Sequence, residues 1–374
     1  MILESKSLES DYKTGKETLN GISLKLKTQD KIGNYCPGGA HMRFICFSGE
    51  KSYAYSQLNH GFDIVPGSLN GVPKPSFLPK GDYRSVLEVV YSAEYYYFHD
   101  VERRKICRVG KTGKNPLEWF SIEEIKNFDR NSDQVLRVSQ GGSVMGIRIS
   151  GSRIFHIKMF DQKLRVKKAN LGNLSHGMGP GGEIQSFVLL GSSKLVCVTE
   201  KGVLHLFEDN GLPSEEMLYL SELRVEMAQE SQEEDYFYLA GNQTEEIVAL
   251  LTGNKAMNLA SRIRVFGVEG RGQASKLVQK ATIDLRSRHL RSYNSICFIP
   301  RINCFDFICG YSSVPKPTFF VYSYDIYTHE VKLVKKARLE GGKGDYSVGR
   351  LERFGGMVYG LMKNGHILKA IFSY

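Results

Sequence analysis

Short runs rich in Val, Ile, Phe and Tyr recur along this chain at nearly even spacing, and no other feature of the sequence restricts the fold as much. They begin near Phe44, Leu87, Leu136, Ile184, Tyr236, Ile296 and Val348, at intervals of 43, 49, 48, 52, 60 and 52 residues. A period of roughly 20–50 residues is the signature of repeat architectures, in which a unit buries its apolar faces only against its neighbours. Within an interval the runs are short and separated by Gly, Asn, Asp or Ser, as in hairpin-linked antiparallel strands.

The fourth interval shows the plan most clearly. Ile184 to Leu190, Lys194 to Thr199, Val203 to Phe207 and Met217 to Leu220 are four candidate strands, divided by GSS, EKG and the turn EDNGLPS. The third interval repeats it as VLRVS, SVMGIRIS, RIFHIKMF and LRVKKANL. Helical periodicity is nearly absent, and only Ser121 to Phe128 and Ser221 to Gln229 are expected to hold a turn or two of helix. The pattern predicts an all-β fold: a single closed β-propeller of about seven four-stranded blades, occupying residues 1–374, with the blades in 41–374. Radial repetition explains its stability, because each sheet packs face to face with the next. The last interval has room for three strands only. Gly21 to Lys27 (GISLKLK), in the N-terminal segment 1–28, alternates polar and apolar residues and is expected to complete that blade and cover its edge.

GVLHLFED at Gly202 to Asp209 resembles the third strand of a WD-repeat blade, with Phe207 where the repeat's Trp would stand. YYYFHDVERRKICRV from Tyr95, RIRVFGVEG from Arg262 and FFVYSYDIYTHEVKLV from Phe319 are similar. The Gly-His and Trp-Asp signatures are absent and Trp119, the one tryptophan, stands elsewhere, so the resemblance is to the WD-repeat-like architecture. It implies a scaffold for protein–protein interaction within a larger assembly.

Seven cysteines, an odd number with none at two-residue spacing, read as small core residues rather than metal ligands or disulfides. His156 and His205 lie at strand positions and read as packing; His99 and Asp100 read as a turn-capping couple. GMGPGG at Gly177 to Gly182 and GGKG at Gly341 to Gly344 read as turns, since neither opens a helix as a phosphate loop does. No nucleophile elbow, HExxH, EF-hand or kinase signature is present. A non-enzyme without a cofactor is therefore expected; the alternatives are an RNA-binding propeller and a propeller enzyme with its active site in a central channel. The polar N-terminus, Met1 to Asp30, lacks the apolar run of a signal peptide or membrane span, so a soluble cytoplasmic or nuclear protein is expected.

The net charge of +10 is unevenly distributed along the sequence. Glu208 to Glu246 holds twelve acidic residues and one basic residue, Arg224, and so carries −11, which leaves +21 elsewhere. Basic residues cluster at Arg103, Arg104, Lys105 and Arg108; at Lys163, Arg165, Lys167 and Lys168; at Lys332, Lys335, Lys336 and Arg338; and in a loop with Arg286, Arg288 and Arg291. The first three clusters are expected on outer strands. The partner-binding residues proposed on this pattern are Arg103, Arg104, Lys105, Lys163, Arg165, Lys167, Lys168, Arg286, Arg288 and Arg291, facing an acidic protein surface, with nucleic acid as the weaker choice. Exposed charges contribute little to folding, so reversing Lys163, Arg165, Lys167 and Lys168 is expected to leave stability within about 1 kcal/mol.

Overall fold

Alternation along each strand, with polar turn residues between, gives an all-β chain of antiparallel sheets. The computed structural model describes side chains over 144–148, 153–158, 165–171, 182–226, 237–242, 246–254, 260–285 and 320–333 and at Tyr97, Ile106, Arg108 and Arg137, and elsewhere the backbone of the strands named below.

Among the described residues the strands fall into seven sheets. The N-terminal strand is β1 (Ser23–Gln29). Sheet 1 holds β2 (Met42–Ser48), β3 (Lys51–Ser56) and β4 (Gly61–Val65); sheet 2 holds β5 (Val86–Tyr91), β6 (Tyr95–Asp100), β7 (Lys105–Gly110) and β8 (Glu118–Ser121). Sheet 3 holds β9 (Val135–Val138), β10 (Val144–Ile149), β11 (Arg153–Phe160) and β12 (Lys163–Asn170). Sheet 4 holds β13 (Ile184–Leu190), β14 (Lys194–Thr199), β15 (Val203–Glu208) and β16 (Leu218–Arg224); sheet 5 holds β17 (Tyr236–Asn242), β18 (Ile247–Asn254), β19 (Leu259–Glu269) and β20 (Lys276–Asp284). Sheet 6 holds β21 (Ile296–Arg301), β22 (Cys304–Cys309), β23 (Thr318–Asp325) and β24 (Val331–Arg338). Sheet 7 holds β25 (Val348–Phe354), β26 (Met357–Met362) and β27 (Ile367–Ser373), with β1 on its outer edge. The pairing of β1 with β27 runs from Ser23 opposite Ser373 to Gln29 opposite Ile367.

The first strands lie side by side in sequence order: β2 against β5, then β9, β13, β17, β21 and β25, and β2 also lies against β26. Period-2 alternation lets one strand serve two cores. In β18, Val248 and Leu250 join Val196, Val198, Leu204 and Leu206 between sheets 4 and 5. Ile247, Ala249 and Leu251 join Phe320, Tyr322 and Tyr324 between sheets 5 and 6. The β14 residues Leu195 and Cys197 face a third core with Val144, Ile154 and Ala169 of sheet 3. Cys197 is a buried free thiol, in keeping with its reading as a core residue.

Polar groups of β13 stitch these layers. Arg148 Nη1 donates to the carbonyls of Ile184 (2.6 Å) and Gln185 (2.7 Å). Gln185 Oε1 and Ser186 Oγ accept the backbone N–H groups of Phe237 and Leu239, each at 3.0 Å. Such close packing needs glycine. A Cβ on Gly241 would lie 2.5 Å from Val188 Cγ2, and one on Gly146 would lie 2.6 Å from Phe187 Cε2.

The expected helix at Ser221 to Gln229 is corrected: Ser221 to Arg224 belong to β16, paired with β15 from Leu218 to Arg224. A pairing edge offered by β15 outweighs the weak helical preference of a short segment. The second expected helix begins in β8 at Ser121, and 122–128 lie outside the described residues. No helix among the described residues is long and apolar enough to cross a membrane.

Candidate functional site

The described part of the molecule carries one concentrated charge cluster, at the interface of sheets 3 and 4. Its origin is the register of β11 and β12, in which His156 stands opposite Lys167 and Lys158 opposite Arg165. Alternation puts these four on one face together with Ile154 and Ala169, which belong to the apolar core against sheet 4. Across that interface, the segment after β15 supplies Asp209.

Asp209 Oδ1 lies 2.8 Å from Lys167 Nζ, and Oδ2 lies 2.8 Å from Lys158 Nζ. Arg165 Nη2 is 4.0 Å from Oδ1 and also donates to the Leu212 carbonyl. The Gly211 N–H donates to Asp209 Oδ1 (3.0 Å), and Lys167 Nζ reaches Asn210 Oδ1 at 3.4 Å. Burial alone would raise the Asp209 carboxyl, but the two ammonium groups and the Gly211 N–H hold it well below the usual carboxylate range. Lys167 and Asp209 are each 1% exposed, so the pair is desolvated. Burial also pulls His156 down from 6.5 to about 4; Asp209 opposes this, and Lys158 and Lys167 add to it. The imidazole is therefore neutral at physiological pH. Beside this cluster the segment 215–217 runs along β12: Lys168 N–H donates to the Glu215 carbonyl (2.8 Å), and Met217 N–H donates to the Lys168 carbonyl (2.9 Å).

A second polar group lies on β15 and β16. The Tyr219 hydroxyl donates to Glu222 Oε2 (3.1 Å) and stands 3.5 Å from His205 Nδ1. Burial pushes His205 down, with Glu222 opposing, and pushes the Tyr219 phenol up with the help of Glu222. A phenol held to a carboxylate in this way stays protonated and serves as a donor, not a nucleophile. Among the described residues no three His, Cys, Asp or Glu side chains form a group able to hold a metal ion.

The basic residues read from the sequence separate here. Lys167 is buried against Asp209, which corrects the expectation that its cluster stands wholly on the surface. Arg165 is 32% exposed; Lys168 is 29% exposed and lies 3.7 Å from Glu215. For Lys163 the backbone alone is described, in β12. Lys105 and Arg108 sit on β7, the third strand of sheet 2, with β8 outside it, so these two are not on an outermost strand as expected. Arg103, Arg104, Arg286, Arg288 and Arg291 lie outside the described residues. Lys332 is exposed and pairs with Glu330 at 3.1 Å.

The charge asymmetry of the sequence is in part resolved inside the fold. Asp209 and Glu215 meet Lys158, Lys167 and Lys168, and Glu246 meets Lys194 at 2.6 Å. Sequence reasoning missed Lys158 and Asp209. The signal for Lys158 was present, since His156 and Lys158 alternate with Ile157 and so share a strand face; the approach of Asp209 had no local signal.

No family model matches the chain, and no curated protein matches it. Solved structures do. The β-propeller domain of Cps50 (Swd1) from Myceliophteria thermophila aligns at TM-score 0.58 with 10% identity, over 94% of this chain and 99% of that one. The Nup133 β-propeller domain of Vanderwaltozyma polyspora aligns at 0.57 with 11% identity, over 94% and 98%. This chain has a β-propeller-like fold. A virginiamycin B lyase from Staphylococcus aureus aligns less closely, at 0.48 with 12% identity over 93% and 99%. At such identities the likeness carries architecture and not activity.

Proposed function

We propose that the chain is one closed seven-bladed propeller domain over residues 1–374, acting as a non-catalytic scaffold for protein–protein interaction within a larger intracellular assembly. The order of first strands, the contact of β2 with β26 and the pairing of β1 with β27 support the ring. The observation that carries the scaffold reading is the two-sided burial of strands such as β14 and β18. Such strands use both faces for stability, and recognition is left to turns and outer strands.

On this reading Arg103, Arg104, Lys105, Lys163, Arg165, Lys168, Arg286, Arg288 and Arg291 contact an acidic partner surface. Lys167 drops out of the contact set, because its charge is spent on Asp209. The test is in-situ cross-linking of the full chain in its native source. Stoichiometric protein partners cross-linked to turns and outer strands are expected. Recovery of a bare monomer, or a turnover lost on changing one residue with folding intact, would overturn the reading.

A further inference from the structure

The interface of sheets 3 and 4 gathers more positive charge than its carboxylate neutralises. Lys167 and Asp209 cancel as a buried pair. Lys158 and Arg165 remain, facing each other across the β11–β12 register. Among the described residues Lys158 has one ion-pair partner, Asp209, and it is 15% exposed. Arg165 donates to the Leu212 carbonyl and approaches Asp209 at 4.0 Å. An ammonium carries three donors and a guanidinium five, so among the described residues most donors of both groups are unspent, with the Arg165 side chain 32% exposed.

In the same interface His156 is 1% exposed, and among the described residues neither ring nitrogen has a hydrogen-bond partner. Buried polar groups are nearly always paired. A buried imidazole without a partner among the described residues, on the same strand face as the two cations, is thus a second, independent sign that the cluster is incomplete as it stands.

The geometry points to an anion site at the edge of this interface, where Arg165 and Lys158 grip a phosphate group while Asp209, fixed by Lys167, holds both cations in place. Charge selects phosphate over carboxylate. Among the described residues the cluster carries +2, and a phosphate near neutral pH brings about −1.5 to −2, whereas one carboxylate would leave half the excess. The guanidinium fork also matches two phosphate oxygens at once. The site does not depend on the scaffold reading, which stands or falls by its own test.

Titration of the full-length protein with inorganic phosphate, against chloride at constant ionic strength, decides the matter by calorimetry and thermal melting. A saturable heat and a raised Tm are expected, weakened at least tenfold in Arg165→Gln and in Lys158→Gln and kept in Lys332→Gln, at an exposed position on sheet 6. Phosphate should also raise the pH at which the His156 ring protonates, seen by NMR, since a dianion nearby favours the imidazolium. Parallel titration with phenyl phosphate separates the sources: tighter orthophosphate binding marks a free ion as the ligand, and tighter ester binding marks a phosphoryl group on a larger molecule. Arg165→Gln leaves the Lys167–Asp209 pair intact and keeps the test readable should Lys158→Gln fail to fold. No saturable signal beyond chloride, or undiminished binding by Arg165→Gln, overturns the proposal.

Discussion

Lys167 Nζ and Asp209 Oδ1 stand 2.8 Å apart, each side chain 1% exposed, and join β12 of sheet 3 to the segment following β15 of sheet 4. Residues 42 positions apart, one in a basic cluster and one in an acidic sector, thus form one desolvated pair. Lys158 makes it a triad.

Removing the carboxylate charge strands a buried ammonium. Asp209→Asn, which keeps an acceptor for the Gly211 N–H, should destabilise the protein by about 3–5 kcal/mol. Lys168→Ala, at a partly exposed pair with Glu215, should cost within about 1 kcal/mol. Urea unfolding of the two variants measures the contrast. Equal effects would mean that the Asp209 pair is not desolvated. The expectation that reversing Lys163, Arg165, Lys167 and Lys168 together is nearly neutral is accordingly replaced, since Lys167→Glu would face Asp209 in a dry interface.

His156 makes the same interface sensitive to acid. The unfolded chain takes up a proton near pH 6.5, but burial delays this to about pH 4 in the folded one. Between those values the unfolded state binds more protons. Stability from this group is therefore full above pH 6.5 and falls as pH drops toward 4, by on the order of 2–3 kcal/mol. Unfolding at pH 7 and pH 4.5 should show a smaller loss in His156→Leu than in the native protein. An identical loss would assign the acid sensitivity elsewhere.

At Gly241 sheets 4 and 5 approach too closely for a side chain. Gly241→Ala places its Cβ against Val188 Cγ2 and should cost about 1–3 kcal/mol through overpacking. Val188→Ala in the same molecule should recover part of that loss, because it removes the clashing methyl groups. A double-mutant cycle in thermal melting reads the coupling; additive losses would show that the backbone shifts instead.

Deleting residues 1–29 removes β1 and leaves the edge of β27 unpaired. The Tm should fall sharply and aggregation should rise, as an open edge invites strand pairing. An unchanged transition would detach the N-terminal strand from the stability of sheet 7.

The sequence by itself determined the strand content, the repeat and most of the division into sheets, because alternation and turn residues act over a few positions and every sheet but the last, which takes in β1, is built from consecutive strands. It also placed a strand near Gly21 to Lys27 beside the last sheet, on the count of strands after Val348; the pairing runs over Ser23–Gln29. Ser221 to Arg224 were misread as helix, because the partner edge that makes them a strand comes from β15 and not from their own composition. The phosphate-site cations illustrate the remaining limit. Arg165 and Lys167 were visible as a basic cluster, but whether a charge is solvated, paired or buried depends on what the neighbouring sheet brings to it. Only the face-to-face packing of sheets 3 and 4 decided that Lys167 is spent on Asp209 and that Arg165 stays within reach of solvent, since desolvation is a property of the surroundings and not of the residue.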